Sequence, residues 1–154
     1  MPEAPAGATL DRSGEHTEVV VGDEVRLVRP EDRTEGHPTP GMHREEAVAT
    51  GGMWAGHVTT GAGVASGWHH HGEHESTIYV VSGALRMEFG PGGEDVLEAT
   101  AGDFLYVPPH AVHRELNPGA TESTLVVVRA GSGEAVVNVD GPAPAREGGT
   151  GPDV

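Results

Sequence analysis

Seven of the ten histidines in this 154-residue chain fall in or just before two short segments: His57, His69, His70, His71, His74, His110 and His113. In an extended strand alternate side chains share a face, so His69 and His71 point one way and His70 the other. Their Cα atoms then lie roughly 7 Å apart. From there two ring nitrogens can converge on one ion at about 2.1 Å. The turn from Gly72 to Glu75 brings the next strand alongside with a carboxylate at its start, and His113 brings a third imidazole from a distant strand. Neutral imidazoles with one carboxylate suit Fe, Mn, Zn, Ni or Cu, and do not suit Mg or Ca.

Such a site needs strands to hold it, and from Met53 onward almost every segment reads as one. The candidates are 53–59, 64–71, 76–82, 84–89, 95–99, 104–107, 112–116, 123–129 and 135–139, separated by turns such as GPGG at 90–93 and NPGA at 117–120. Strands this short and evenly spaced indicate a sandwich or a closed barrel, not βαβ units. A jelly roll or small barrel also disposes of exposed strand edges. Residues 17–29 read as two further short strands about Gly22-Asp23, residues 31–41 as a loop, and residues 44–50 as one or two helical turns. Residues 1–16 and 141–154 are polar, rich in Pro, Gly and Ala, and aperiodic. They are expected to be disordered tails on a barrel spanning 17–140.

Composition narrows the function. A chain of this length builds one modest core, and with 4% aromatic residues that core must be aliphatic. A formal net charge of −15 argues against nucleic acid and against an anionic membrane surface, both of which need clustered Lys and Arg. Without cysteine there is no disulfide framework, thiolate nucleophile or Cys-ligated zinc. The start, MPEAPAGATL, lacks the basic and apolar regions of a signal peptide, and no apolar run approaches the ~20 residues that span a bilayer. A cytoplasmic location is expected.

Two segments resemble the paired motifs of the cupin family. GWHHHGEHESTIYVVSG is similar to the first: Gly, five residues, His-x-His, three or four residues, Glu, six residues, Gly. GDFLYVPPHAVHRELN is similar to the second: Gly, five residues, Pro-x-Gly, two residues, His, three residues, Asn. Gly102, Pro108, His113 and Asn117 stand at the expected spacing, and His110 replaces the middle Gly. Together the motifs cover 67–117, about a third of the chain. The resemblance implies an all-β fold, a single small jelly-roll barrel. It also implies one divalent transition metal (Fe, Mn, Zn or Ni) on His69, His71, Glu75 and His113. The first motif carries a misfit. Counted forward from His71, its Glu is Glu75; counted back from Gly83, the position falls on Ser76. Three arrangements follow: a bulge that aims Glu75 at the metal, His74 as the fourth ligand, or a three-His site beside Ser76 or water.

Blander readings compete at each residue. His-rich tracts can be adventitious surface binders, although the second motif supplies its imidazole independently. His70 should face outward and His43 should be a solvated loop residue. His57 should belong to the core or a pocket wall, and Trp54 and Trp68 to packing. Asp103 and Asn117 should hydrogen-bond turn backbone. His110 either lines the barrel mouth as an acid/base or sits on the surface. The resemblance implies oxygenation with iron, or isomerisation, dehydration or carbon–carbon cleavage with a Lewis-acidic metal, and fold does not choose among them. An inner wall of Ile78, Val80, Leu85 and Met87 would suit a small substrate. The two functional readings are a metal-dependent enzyme, dioxygenase- or polyketide-cyclase-like, acting on a small metabolite, and a non-catalytic small-molecule or metal-binding and sensing module. A homodimer is expected, with 17–29 pairing across its interface.

Overall fold

The computed structural model describes residues 24–145. Its strands are β1 (Thr34–Glu35), β2 (Met42–Ala49), β3 (Met53–Thr60), β4 (His69–His70), β5 (Glu75–Ser82), β6 (Ala84–Phe89), β7 (Asp95–Thr100), β8 (Phe104–Val107), β9 (His113–Leu116), β10 (Ser123–Ala130) and β11 (Val137–Asn138). They form a six-stranded sheet ordered β1-β2-β3-β10-β5-β8 and a five-stranded sheet ordered β11-β4-β9-β6-β7. The architecture is jelly-roll-like, with the sheets face to face and no ladder joining them.

Period-two burial explains the packing. On β5, Ser76, Ile78 and Val80 are buried between exposed neighbours; on β10, Ser123, Leu125, Val127 and Arg129 alternate likewise. Leu85 and Met87 of β6 and Val58 of β3 complete a core with Trp54, Ala99 and Val107. Each fully buried aliphatic side chain contributes about 1.5–3 kcal/mol. The chain changes sheet between β5 and β6 at one residue, Gly83, whose φ of +81° suits glycine and whose absent Cβ would lie 2.9 Å from the Ser123 Cα. Asn117 ties the far end together: its side-chain amide donates to Thr60 O and Thr121 O and its carbonyl accepts from Gly119 N. Asp103 accepts from Thr100 N, the turn role expected of it.

Several expectations are corrected. Residues 44–50 are no helix but most of β2, paired with β3 from Met42↔Thr60 to Ala49↔Trp54, with a register shift between Glu46 and Val48. Glu, Ala and Arg favour helices, yet the partner strand decides, and His43 is on that strand, exposed. Residues 24–29 form no strand, and the rest of the 17–29 segment lies outside the described residues. The loop at 31–41 holds β1 and most of a 3-10 turn, Pro30–Asp32. The strand at 64–71 shrinks to His69–His70 plus a bridge between Ala65 and Leu116. Residues 1–16 and 146–154 lie outside the described part, while the Ala143 carbonyl accepts a hydrogen bond from Gly92 N at 2.8 Å. Among the described residues no helix is long and apolar enough to cross a membrane.

Candidate metal centre

His69 and His113 are directly opposed in the β4–β9 pair. His71 follows β4 by one residue and shares His69's inward facing; both are buried, as is His113. The three rings meet with centroids 4.4 Å (His69–His113), 5.0 Å (His71–His113) and 5.1 Å (His69–His71) apart. One nitrogen from each lies within 4.8 Å of the others. That spread allows one ion at ordinary bond lengths after small side-chain adjustment.

The backbone sets the tautomers. Nδ1 of His69 donates to Gly67 O (3.0 Å), that of His71 to Ala135 O (2.7 Å) and that of His113 to Ala111 O (2.8 Å). With Nδ1 protonated, each Nε2 presents a lone pair, the arrangement seen around metal-bound histidines. Nε2 of His69 and of His113 is buried without a hydrogen-bond partner among the described residues. Buried acceptors left unpaired are costly, and a cation would satisfy both at once. The donor set therefore fits a transition-metal ion. Burial, then the neighbouring His113, lowers the His69 pKa to about 4. Burial and the Arg129 charge lower that of His71 to about 2. Both rings are neutral at pH 7, as ligation requires.

The carboxylate at the cluster is Glu115, two residues after His113 on the same face of β9. Its Oε1 stands 3.5 Å from His113 Nε2 and 3.9 Å from His69 Nε2, and its Oε2 is buried without a partner. Burial alone would raise its pKa, but its surroundings, the positive charge of Arg44 among them, outweigh burial and hold it well below the usual carboxylate range. Glu75 is not brought to this point. β5 keeps strict alternation from its first residue, so Glu75 is exposed and Ser76 points inward. His74 is buried but stands outside the group, its Nδ1 donating to His71 O at 3.1 Å.

His110 sits on the rim. It has a φ of +60°, the left-handed conformation at the position where the motif expects Gly, and its Nε2 lies 3.0 Å from Glu73 Oε1 in an exposed pair. His70, partly exposed, has its ring 5.9 Å from that of His110. His57 is neither core nor pocket wall: Trp54, Gly56 and Val58 take the inner face of β3, and His57 lies outside, 3.8 Å from Glu45 Oε1. An apolar cavity of about 190 Å³ ends on His113, with Met87, Phe89, Leu105, Val107, Pro108 and Ala111 in its wall. A second of about 280 Å³ is bounded by Trp54, His74 and the 131–133 loop.

Sequence reasoning missed Glu115 and two buried cations, Arg44 and Arg129. Alternation along 112–116 carries the signal for Glu115, and alternation with Leu125 and Val127 carries that for Arg129.

Residues 56–129 match the family model described as a cupin domain, Cupin_2. No curated protein matches the chain. Among solved structures, a RmlC-like cupin from Shewanella frigidimarina superposes with a TM-score of 0.57 at 23% identity, over 71% of this chain and 93% of its own. The polyketide cyclase RemF from Streptomyces resistomycificus gives 0.62 at 17% identity, over 75% and 86%. Oxalate decarboxylase from Bacillus subtilis gives 0.58 at 23% identity over 66% of this chain, matching 28% of that longer protein.

Proposed function

Since this chain belongs to the cupin superfamily, we propose that it is a metal-dependent enzyme acting on a small metabolite between the sheets. The observation that carries the reading is the pair of unpartnered Nε2 atoms of His69 and His113 facing the Glu115 carboxylate. His69, His71 and His113 would hold the ion, with the Glu115 carboxylate beside two of them. A divalent transition metal bound there supplies a Lewis-acidic centre with open positions for a substrate's oxygens. The chain's residues do the rest. Backbone carbonyls accept from Nδ1 of the three rings and so fix their tautomer and aim. Met87, Phe89 and Leu105 exclude water from the His113 side and take the apolar part of a ligand. His110, paired with Glu73 at the rim, is the candidate for passing a proton between cavity and solvent.

Elemental analysis of protein purified without a His tag is the first test. Iron supports a dioxygenase-like reaction; zinc or nickel supports a cyclase-like or other Lewis-acid one. Turnover confined to metal-loaded protein and lost in His113→Ala supports the enzyme. Protein that holds no metal even after reloading overturns it. One observation favours the second reading, a non-catalytic binding module: the cavity wall is apolar apart from Tyr106 and His113. Ligand-induced stabilisation with the ligand recovered unchanged would select it. We further propose a homodimer, supported by the exposed Tyr79–Phe104 pair and Tyr106 on the outer face of the six-stranded sheet, and a cytoplasmic location. A monomer mass by light scattering overturns the dimer.

A further inference from the structure

Opposite the imidazoles, the six-stranded sheet places Trp54, Arg129 and Ser76 in one inward-facing row across β3, β10 and β5, Arg129 registering with both neighbours. All three are buried, Arg129 at 2% exposure and Ser76 at 2%. Neither polar residue is satisfied. Arg129 Nε and Ser76 Oγ are buried without a hydrogen-bond partner, and the Arg129 guanidinium forms no ion pair or hydrogen bond with another described residue. Its face lies against the Trp54 indole, whose ring centre is 4.5 Å from the Arg129 Cζ, and the Glu115 carboxylate favours its charge without pairing with it. Gly56 leaves the room in which that indole lies, since a Cβ there would collide with it. A cation–π contact is far weaker than the cost of taking a guanidinium out of water. Burial and the neighbouring Arg44 lower the Arg129 pKa only to about 9, so the group stays charged at neutral pH.

The charge count points the same way. Among the described residues, the two buried guanidinium groups against the single buried carboxylate, Glu115, leave the interior at +1, and a divalent ion would raise it to +3. The surface meanwhile belongs to a chain of net charge −15. A buried site of that sign, with unpaired donors on neighbouring strands, is built for an anion.

We propose that Arg129 and Ser76 form a carboxylate-binding subsite on the inner face of the six-stranded sheet, and that the molecule bound there is a small organic acid. The subsite deepens the metal-enzyme reading by naming its substrate class, but its donors belong to the protein alone.

The test is calorimetric titration of the full-length protein, as purified and after removal of metal by chelation, with malonate and with the uncharged malonamide. Malonate is expected to bind and malonamide not to. Arg129→Met is expected to weaken malonate binding to the chelated protein at least tenfold and Ser76→Ala three- to tenfold, with metal stoichiometry unchanged in both. Ser76→Glu, which places a carboxylate beside Arg129, is expected to abolish malonate binding while raising the melting temperature. It keeps the proposal testable should Arg129→Met fold poorly. Malonate binding undiminished in Arg129→Met or Ser76→Glu, or equal binding of malonamide, overturns the subsite. Arg129-dependent malonate binding in protein that takes up no metal supports the subsite and overturns the metal reading instead.

Discussion

His69, His113 and Glu115 look inward from the five-stranded sheet, whereas Arg129 and Ser76 look inward from the six-stranded sheet facing it. On the first, each ring has one nitrogen tied to a backbone carbonyl and the other left as a lone pair. On the second, the polar atoms are donors tied to nothing. One face is prepared for a cation and the other for an anion. The difference teaches that the interior is organised by sheet, and that its unsatisfied groups are complementary in sign.

The largest effect that would break this contrast is expected at Glu115, among the described residues the one buried negative charge. Glu115→Gln should lower unfolding stability by about 1–3 kcal/mol, because it removes the buried carboxylate whose charge acts on Arg44 and Arg129 without pairing with either. Glu75→Gln on the outer face should stay within about 0.5 kcal/mol. Equal denaturation midpoints for the two variants would remove Glu115 from the centre. The opposite sign is expected for Arg129→Met, which replaces an unpaired buried charge with an apolar chain and should raise the midpoint.

Next in size is the loss of a ring. His113→Ala should weaken zinc or iron binding by more than the roughly 10–100-fold typical of removing an outer partner. His74→Ala should leave affinity near wild type. Competition with a chromophoric chelator reads both.

Acid sharpens the contrast further. The folded pKa values of His69 and His71 lie at about 4 and about 2, below the usual 6.5. Below about pH 6 the unfolded chain therefore takes up protons that the folded chain refuses. Metal-free protein should be most stable above that pH and lose about 1.4 kcal/mol per pH unit for each of the two imidazoles as pH falls toward 4. Urea midpoints across this range should show the slope, and His71→Ala should flatten it. A slope unchanged in that variant would mean the ring is not held neutral.

The smallest effect is expected at the rim. His110→Gly relieves a left-handed backbone but adds chain freedom to the unfolded state, so thermal stability should move by less than about 1 kcal/mol. Metal binding should not change.

Much of this arrangement was legible in the residues. The alternation at His69 and His71 and the spacing to His113 anticipated the three rings now seen together, and short turn-bounded segments anticipated most of the strands. Glu115 is hidden because the first motif points to a carboxylate at 75, although the period-two rule applies equally along His113-Arg114-Glu115. Arg129 was hidden because charged residues are almost never fully buried, so its inward register beside Leu125 and Val127 was the less expected assignment. The strand at 42–49 was hidden because its local preference is helical and only its ladder to β3 makes it extended.

The carbonyl that orients His71 belongs to Ala135, sixty-four positions further along the chain. The His71 ring is thus steered by a loop remote from it in sequence. A single proteolytic nick at Gly133, or a truncation there, would release the ring without touching any of the three Nε2 atoms, and the cluster's aim depends on chain continuity as much as on its donors.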